Sequence, residues 1–545
     1  MKKARQIFIL FMFAACLLVG CATPEAGVPS ATEPAEEEPV GESTALWLAP
    51  YLPEGLTAGL NLPEDTLQVA DSSQADLWVD VGADHLLAQW IYVLAAPFDT
   101  VADGINLAQL QAVWQGTLVE GAPFEKLIMD GGTKSVFEKL WGSASQATVE
   151  VVAENALLEI AWNSEDTWAI LPFEKLEPRW KVIALDGQSP VQKAFNSDAY
   201  ALKVPFSIVG NADEAGKFLA AHGPQSSQPM LPAVNRDPDK LTTVVLTGVT
   251  ALVRGTAFLM ERNGMTYPAI DIGDILRDAD ILHISNEIPF TATCPKPFAN
   301  PQNDANLVFC SKPEYIQLLE AVGTDVVELT GDHFRDWGPE AMLYTIDMYN
   351  QRAWKYYGGG INLEDGMQPA LFEHNGNKIA FIGCNAKPEG YATASASSPG
   401  AVHCDMEAMG KVIKQVVAQG YLPIFTFQHL EYYDYKINKN LVPEFESAAD
   451  SGAVIVSGSQ AHQPHAFEFY KSATLHYGLG NLFFDQYNEG FPKRQAFIDR
   501  HVFYDGRYIS TELLTIMFVD LARPRLMTAD ERADLLSTVF AASEW

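Results

Sequence analysis

Positive charge is scarce in this chain of 545 residues. Lysine and arginine together number 36, against 69 aspartates and glutamates, so the formal net charge is −33 at pH 7. Nucleic acids and anionic membrane surfaces are bound mainly through basic side chains, and the composition argues against both as partners. A polyanionic ligand is also disfavoured unless a cation or a local basic group intervenes, although salt confines that repulsion to roughly 10 Å.

Long apolar runs are lacking after the N-terminus. The stretch Ile7–Val19 follows three basic residues and is shorter than a comfortable membrane-spanning helix, which is typical of a secretory signal. It runs into Leu18-Val19-Gly20-Cys21, which resembles the bacterial lipobox, whose cysteine is lipidated after cleavage. We therefore expect residues 1–20 to be a lipoprotein signal peptide. The alternative is an ordinary signal peptide with a chance cysteine.

Residues 21–43 have no apolar period. They are rich in Ala, Pro, Glu, Ser and Thr, so they cannot bury a core, and a solvated tether behind the lipidated Cys21 is predicted. The expected location is extracytoplasmic, with a lipid anchor in the bacterial cell membrane or envelope. The membrane is thus one expected partner, reached through the lipid.

Cysteine is rare as well. If Cys16 leaves with the signal and Cys21 carries the lipid, four cysteines remain, an even number that favours disulfides in an exported protein. The simplest pairing is sequential, Cys294 with Cys310 and Cys384 with Cys404. A cysteine metal site is the rival interpretation, but no pair has the C-x-x-C spacing.

The remaining chain is large enough for two domains. Hydrophobic residues make up 48% of the sequence, and strand-like and helical pieces alternate over residues 44–223, which predicts an α/β domain. Residues 224–240 contain several Pro, Ser and Gln without a period and are predicted to be a linker. The second domain is expected over residues 241–545.

Three stretches of the first domain form a pattern: Ala96–Gly116, Asp186-Gly187 with Pro190-Val191, and Tyr200–Phe206. They resemble parts of the phosphate-type periplasmic substrate-binding proteins. The resemblance implies a smaller α/β domain of the substrate-binding-protein type. No serine- or threonine-glycine loop is present to cradle a phosphate, so a structural or docking domain is an equal alternative.

Four apolar, strand-like runs in the second half stop at clusters of acids, amides and histidines. In α/β proteins, ligands gather beyond the carboxyl ends of the strands, so these clusters are expected to converge on one site. The clusters are Asn286-Glu287, Thr330–His333, His429 with Glu431, and Gly458–His462.

These clusters belong to a longer series of motifs in the second half of the chain. The motifs, in order, are Leu246-Thr247-Gly248 with Arg254, Leu276–Asp280, Asn286–Pro289, Leu329–His333 with Asp336-Trp337-Gly338, Gly376–Gly383, Glu431-Tyr432, Gly458–His462 with Glu468, and Gly478–Asp485. This series is similar to the CapA family of poly-γ-glutamate capsule-synthesis proteins. That family is related to calcineurin-like metallophosphoesterases, so the resemblance implies a β-sandwich of two sheets flanked by helices.

The match to the family pattern is partial. Val249 stands where the family has an aspartate, Gln460 replaces a histidine, and Phe427 replaces another, although His429 lies on the same loop. A two-cation site needs bridging and terminal carboxylate or imidazole ligands, and these changes remove some of them. The residues that remain suit one divalent metal ion rather than two.

The resemblance assigns roles to the retained residues. The expected metal ligands are Glu287, Asp332, His333, Glu431 and His462, and three of these, His333, Glu431 and His462, are the catalytic candidates. Substrate-binding roles fall to Arg254, Asn286 and Asn481. Alternative interpretations stay open: the two histidines as satisfied buried residues, Asp332 as a helix cap, and Arg254 and Asn481 as residues that hold loops.

Two functions follow from these observations. The first is a CapA-type envelope lipoprotein that handles an extracellular polymer such as poly-γ-glutamate alongside other capsule-synthesis proteins, as a metal-dependent hydrolase or transferase. The second is a noncatalytic binding or scaffold protein with a degraded metal centre. Val249 and Gln460 favour the second function, and the retained clusters favour the first.

Overall fold

The computed structural model describes residues 43–118, 120–298, 307–390, 392–543 and 545. The signal peptide, Cys21 and nearly all of the predicted tether lie outside these residues, so the lipid anchor stays a prediction. Within the described part of the chain, no helix combines the length and the apolar character that a bilayer crossing requires.

The N-terminal region, residues 44–240, is built from eleven strands and five helices. Its strands are β1 (Thr44–Leu48), β2 (Thr66–Val69), β3 (Leu77–Val81), β4 (Leu86–Pro97), β5 (Gly104–Ile105), β6 (Lys126–Met129), β7 (Val149–Val151), β8 (Thr167–Pro172), β9 (Trp180–Val182), β10 (Ala184–Leu185) and β11 (Lys203–Gly210). Its helices are α1 (Glu54–Thr57), α2 (Leu107–Trp114), α3 (Gly131–Trp141), α4 (Leu157–Trp162) and α5 (Ala212–His222).

A single mixed sheet forms the core of this region. Its order is β2-β1-β3-β11-β4-β8-β6-β7, with β9 also paired to β4. Strand β4 is the centre, and its stretch from Trp90 to Ala96 is buried throughout, as expected for a strand covered on both faces. The predicted α/β class is confirmed.

The C-terminal region, residues 241–545, holds the remaining seventeen strands and eight helices of the described chain. The strands are β12 (Leu241–Thr247), β13 (Val249–Thr250), β14 (Ile281–Asn286), β15 (Val326–Glu328), β16 (Lys355–Tyr357), β17 (Gly359–Gly360), β18 (Ala370–His374), β19 (Asn377–Asn385), β20 (Gly400–Ala401), β21 (Leu422–Gln428), β22 (Ile455–Ser457), β23 (Phe467–Tyr470), β24 (Ala473–His476), β25 (Asn481–Phe483), β26 (Gln495–Tyr504), β27 (Arg507–Phe518) and β28 (Pro524–Leu526). The helices are α6 (Arg254–Asn263), α7 (Gly273–Arg277), α8 (Ile316–Ala321), α9 (Gly338–Asn350), α10 (Leu363–Gly366), α11 (Met406–Ala418), α12 (Val442–Asp450) and α13 (Ala529–Ala542).

Two sheets pack face to face in this region. One has the order β16-β15-β14-β12-β26-β27-β28, with β13 paired to β14 and β25, and the other has the order β18-β19-β21-β22-β24-β23. Apolar side chains of both sheets, among them Val244 and Val326 from the first and Phe381 and Ile424 from the second, form one cluster. The predicted β-sandwich is confirmed.

Helices cover the outer faces of the sandwich. Side chains of α6, α8 and α9 pack with the first sheet, and side chains of α11 and α12 pack with the second. Local sequence favours these helices: Asp405 caps α11 by accepting hydrogen bonds from two backbone amides, and Thr528 and Glu531 form a capping box at α13. The layers therefore run helix, sheet, sheet, helix.

The two regions share apolar contacts. Val502 and Tyr504 of β26 belong to the core cluster of the N-terminal region, and the Tyr504 hydroxyl donates to the Asn235 carbonyl over 2.9 Å. Met230 and Leu231, within the stretch predicted to be a linker, are buried in the same cluster. Contact between the regions is therefore continuous through residues 224–240. The predicted domain limits themselves stay a prediction.

Both predicted disulfides are confirmed. Cys294 is bonded to Cys310, and Cys384 is bonded to Cys404. The second bridge joins the end of β19 to the segment that precedes α11.

Candidate functional site

Polar residues meet where strands of both sheets end. In the first sheet, the parallel strands β14 and β15 lead to Glu287 and to the loop at Thr330–His333. In the second sheet, the parallel strands β19, β21 and β22 end at Asn385, Gln428 and Ser457. Parallel neighbours place their carboxyl ends at one edge, and so these loops face each other across the sandwich.

Hydrogen bonds join the loops of the two sheets. The Gln428 side chain donates to Asp332 Oδ1 over 3.0 Å, and the Asn385 side chain donates to the Thr330 carbonyl over 2.7 Å. Deeper in, the buried carboxylate of Glu328 accepts a hydrogen bond from Ser459. The predicted clusters of residues 286–287, 330–333, 429–431 and 458–462 thus surround one place, with β19 contributing a fifth loop.

Three residues form a compact group that we call the triad: Glu287, Asp332 and His333. Each offers one ligand atom, and these atoms all lie within 4.8 Å of one another. Glu287 is 2% exposed, and its Oε1 atom has no hydrogen-bond partner. A buried carboxylate oxygen without a partner is costly, and a cation would satisfy it.

The triad is held by its neighbours. The loop approaches Glu287 so closely that a Cβ atom on Gly331 would lie 2.8 Å from the Glu287 Cα, which only glycine avoids. His333 Nδ1 lies 2.8 Å from Asp336 Oδ2, and that oxygen also accepts a hydrogen bond from the Phe309 backbone amide. This carboxylate fixes the imidazole and leaves Nε2 for a ligand, as in carboxylate-histidine-metal arrangements.

Burial and charge shift the titration of the triad. Burial raises the pKa of Glu287 to about 7, although the neighbouring His333 opposes the change. Burial alone would lower the pKa of His333, but Asp336, Glu287 and Asp332 outweigh it and raise the pKa to about 9. Burial alone would raise the pKa of Asp332, but the neighbouring Lys387 and His333 outweigh it and lower the pKa of this carboxyl. The raised pKa values of Glu287 and His333 favour their protonated forms, so a cation that binds these two residues would displace protons.

Next to the triad lies a second group, the lysine cluster, made of Lys387, Glu431 and His462. Lys387 Nζ is 2.7 Å from Glu431 Oε1 and 3.0 Å from Asp332 Oδ2. Burial would lower the pKa of Lys387, but Asp332, Glu287 and Glu431 raise it, and Lys387 in turn lowers the pKa of Glu431. The ammonium is therefore a fixed positive charge between two carboxylates.

His462 faces this cluster through one ring nitrogen. Its Nδ1 lies 2.9 Å from Asn481 Oδ1, and its Nε2 lies 4.0 Å from Glu431 Oε1. Burial lowers the pKa of His462 to about 4, so the ring is neutral near pH 7 and can act as a ligand or a base.

The residues predicted to bind substrate are largely committed within the protein. Asn481 donates to the His462 carbonyl over 3.1 Å and to Gln486 Oε1 over 3.2 Å. Asn286 donates to the Ile288 carbonyl and to the Tyr349 hydroxyl. Both amides hold the loops that carry the ligand candidates. A role for either in contacting substrate stays a prediction.

Arg254 is buried behind the triad. Its guanidinium donates to the Asp485 carbonyl and lies over the rings of Phe484 and Phe309, at 4.9 and 5.7 Å from their centroids. Phe309 in turn contacts the His333 ring, with 4.7 Å between centroids. Arg254 supports the wall of the site, and its Nε atom has no hydrogen-bond partner.

Sequence reasoning missed Lys387. It lies two residues beyond the end of β19 and carries no family motif, so only the strand-end position could have indicated it. His429, named as a substitute ligand, instead lies with Nε2 at 3.2 Å from Glu444 Oε2. His283 is buried beside Glu328 and Tyr357, in keeping with its predicted structural role.

Comparison with known proteins identifies the C-terminal half. Residues 243–486 match the family model described as bacterial capsule synthesis protein PGA_cap. Over these residues the chain is similar to this family.

Individual relatives are distant. The chain is similar to the capsule biosynthesis protein CapA of Bacillus anthracis, 24% identical over 273 residues, and to the PGA biosynthesis protein CapA of Bacillus subtilis, 24% identical over 187 residues. These matches cover 49% and 34% of this chain and 66% and 49% of the relatives' own lengths. An ABC-type phosphate transport receptor from Vibrio cholerae is similar in structure, with a TM-score of 0.24, 17% identity, and coverage of 27% of this chain and 73% of the receptor.

At the three positions where an expected ligand is replaced, the side chain that is present packs against its neighbours. Val249 is fully buried in an apolar cluster with Ile288, Phe309 and Phe484. Gln460 donates to the Ser285 hydroxyl. Phe427 stacks on Phe445 at 4.8 Å between ring centroids. These side chains are packed into the protein, so the altered positions are part of the core.

Proposed function

We propose that this chain acts in capsule synthesis at the cell envelope, where it handles an extracellular polymer such as poly-γ-glutamate through one divalent cation. The triad would hold the cation, with Glu287 and Asp332 giving oxygen and His333 giving nitrogen. The observation that carries this proposal is the unpartnered, buried Oε1 of Glu287 within 4.8 Å of two further ligand atoms. A mixed oxygen and nitrogen donor set suits a divalent transition metal.

Charge favours a cation as the group that meets such a ligand. The chain carries −33, and the site gathers the carboxyl groups of Glu287, Asp332 and Glu431, so a bound cation would reduce the repulsion of a polyglutamate chain. When bound, a divalent cation supplies Lewis acidity and attracts the oxygens of an anionic ligand. His462 Nε2, neutral near pH 7, lies 4.0 Å from Glu431 Oε1 in the adjoining lysine cluster and is available there as a base. Metal-dependent hydrolysis or transfer follows as the catalytic form of the proposal.

A noncatalytic binding or scaffold role is the second candidate. Lys387 forms ion pairs with Asp332 and Glu431, and apolar side chains surround Val249. This arrangement leaves no ligands for the second cation of a two-metal hydrolase.

Metal content and polymer length decide between these roles. We expect the purified protein, after dialysis against Mn²⁺, to retain about one ion per chain by mass spectrometry, and the Glu287→Gln variant to bind it about 100-fold more weakly. Glu174→Gln serves as the matched control, since this half-buried carboxylate lies in the N-terminal region.

Incubation with poly-γ-glutamate and Mn²⁺ then separates the two functions. Shortened or rearranged polymer, read by size-exclusion chromatography, supports catalysis. Binding without a change in length, read by calorimetry, supports the scaffold role. Absence of both binding and turnover would contradict the proposal as a whole.

A further inference from the structure

The Lys387 ammonium lies between Asp332 and Glu431, where the second cation of a two-metal site would lie. We propose that the Lys387 ammonium stands in for this second cation and so limits the chain to one divalent ion. The inference rests on the proposed cation at the triad, and it adds a role for the lysine cluster. It is drawn from the position of Nζ between carboxylates that two different sheets provide.

The ammonium is fixed rather than free to swing. The Lys387 side chain is 10% exposed, and its backbone amide donates to Asn385 Oδ1 over 2.9 Å. Asn385 also donates to the Thr330 carbonyl, which ties the lysine loop to the loop that carries Asp332. The chain therefore positions Nζ relative to Asp332 through two short hydrogen-bonded links.

The atoms around Nζ form a ligand set for a metal. Asp332 Oδ2 and Glu431 Oε1 contact the ammonium, and His462 Nε2 lies 4.0 Å from the same Glu431 oxygen. Asn481 holds the other nitrogen of His462, as an outer partner does for a metal-bound imidazole. Two carboxylate oxygens and one imidazole nitrogen repeat the donor types of the triad.

Asp332 joins the two positions. It belongs to the triad, and its Oδ2 contacts Lys387 while its Oδ1 accepts a hydrogen bond from Gln428. A carboxylate between two cations is the bridging ligand of a two-metal site. Here it bridges the expected divalent ion and an ammonium. Lysine supplies charge and three donors but no Lewis acidity, so the second position neutralises carboxylates without activating an oxygen.

Replacing the lysine tests the inference. In the full-length mature chain, Lys387→Met removes the charge and keeps most of the length of the side chain. We expect the Mn²⁺ content after equilibrium dialysis to rise from about one to about two ions per chain, because Asp332, Glu431 and His462 become free to bind. Lys181→Met is the matched control: Lys181 is 14% exposed and lies 2.8 Å from Asp103, outside the site, so this variant is expected to keep one ion.

Thermal unfolding gives a second measurement. Without metal, Lys387→Met leaves carboxylates uncompensated, and its midpoint should fall below that of the wild type. Millimolar Mn²⁺ should restore it, with a larger rise than in the wild type or in Lys181→Met. If the variant folds only when produced with Mn²⁺, the inference is supported. If it fails to fold under both conditions, the inference is overturned.

The outcomes separate this inference from the proposed function. One ion in both wild type and Lys387→Met overturns the role of Lys387 and leaves the triad site standing. No ion in the wild type but one in the variant overturns the triad as a cation site and supports the lysine as a substitute. No ion in either protein overturns both.

Discussion

The triad and the lysine cluster use the same donor types but differ in what satisfies them. In the triad, a carboxylate oxygen of Glu287 is buried without a partner. In the lysine cluster, the Glu431 carboxylate already contacts an ammonium supplied by the chain. The difference teaches that a strand-end site can keep the shape of a two-cation centre while the protein itself provides one of the two positive charges.

The largest expected effect concerns the position of Val249, at the border of the triad. Val249→Asp places a carboxylate among Ile288, Phe309 and Phe484, and it should destabilise the protein by about 3–5 kcal/mol. Chemical denaturation with and without Mn²⁺ measures the change, and Val249→Thr controls for polarity without charge. If Val249→Asp kept wild-type stability and gained an ion, the contrast between the two groups would break down.

Next comes the pH dependence of the metal-free protein. The folded pKa of Glu287, about 7, lies above its ordinary value of 4.5, so the protonated form stabilises the fold. This contribution is fully present below pH 4.5, is lost as pH rises to 7, and amounts to about 3 kcal/mol. Urea denaturation across this range should show the loss in the wild type.

His333 extends the same trend to higher pH. Its folded pKa of about 9 exceeds the ordinary 6.5, so its contribution is present below pH 6.5 and is lost as pH rises through 9. Glu287→Gln should remove the part of the slope between pH 4.5 and 7. An unchanged slope in this variant would show that Glu287 ionises normally, and the triad would then resemble the satisfied lysine cluster.

The smallest effect is expected in the lysine cluster. His462→Gln should change the affinity for the first Mn²⁺ ion by less than about threefold, because Lys387 already occupies the position that His462 faces. Calorimetric titration of the wild type and the variant gives the ratio. A loss as large as that of Glu287→Gln would place His462 among the ligands of the first ion and sharpen the site into a single group of four.

Much of this arrangement could be predicted from the sequence, because local patterns determine it. Apolar runs that stop at polar clusters indicated the strand ends, and sequential cysteines indicated both disulfides. The order of motifs indicated the sandwich through the resemblance to the CapA family. The strand ends and the disulfides were indicated by residues that lie close to them in the sequence.

The rest depends on contacts between distant segments. The role inferred for Lys387 depends on its contacts with Asp332 and Glu431, which are 55 and 44 residues away in the chain. Val249 was read as a missing ligand, but the apolar side chains that surround it come from residues 288, 309 and 484. The sequence predicted that Asn481 binds substrate, but its side-chain NH2 group donates to the His462 carbonyl and to Gln486 Oε1. Such tertiary partners cannot be read from one position.

The bridge between Cys384 and Cys404 gives the site a dependence on redox conditions. It closes a loop of about 20 residues, and Lys387 lies within this loop, three residues after Cys384. A disulfide that closes a loop of this length stabilises a fold by about 3 kcal/mol. We therefore expect thiol reagents such as dithiothreitol, which cleave this bond, to loosen the segment that carries Lys387 and so to change the binding of the proposed cation, although no proposed ligand is altered.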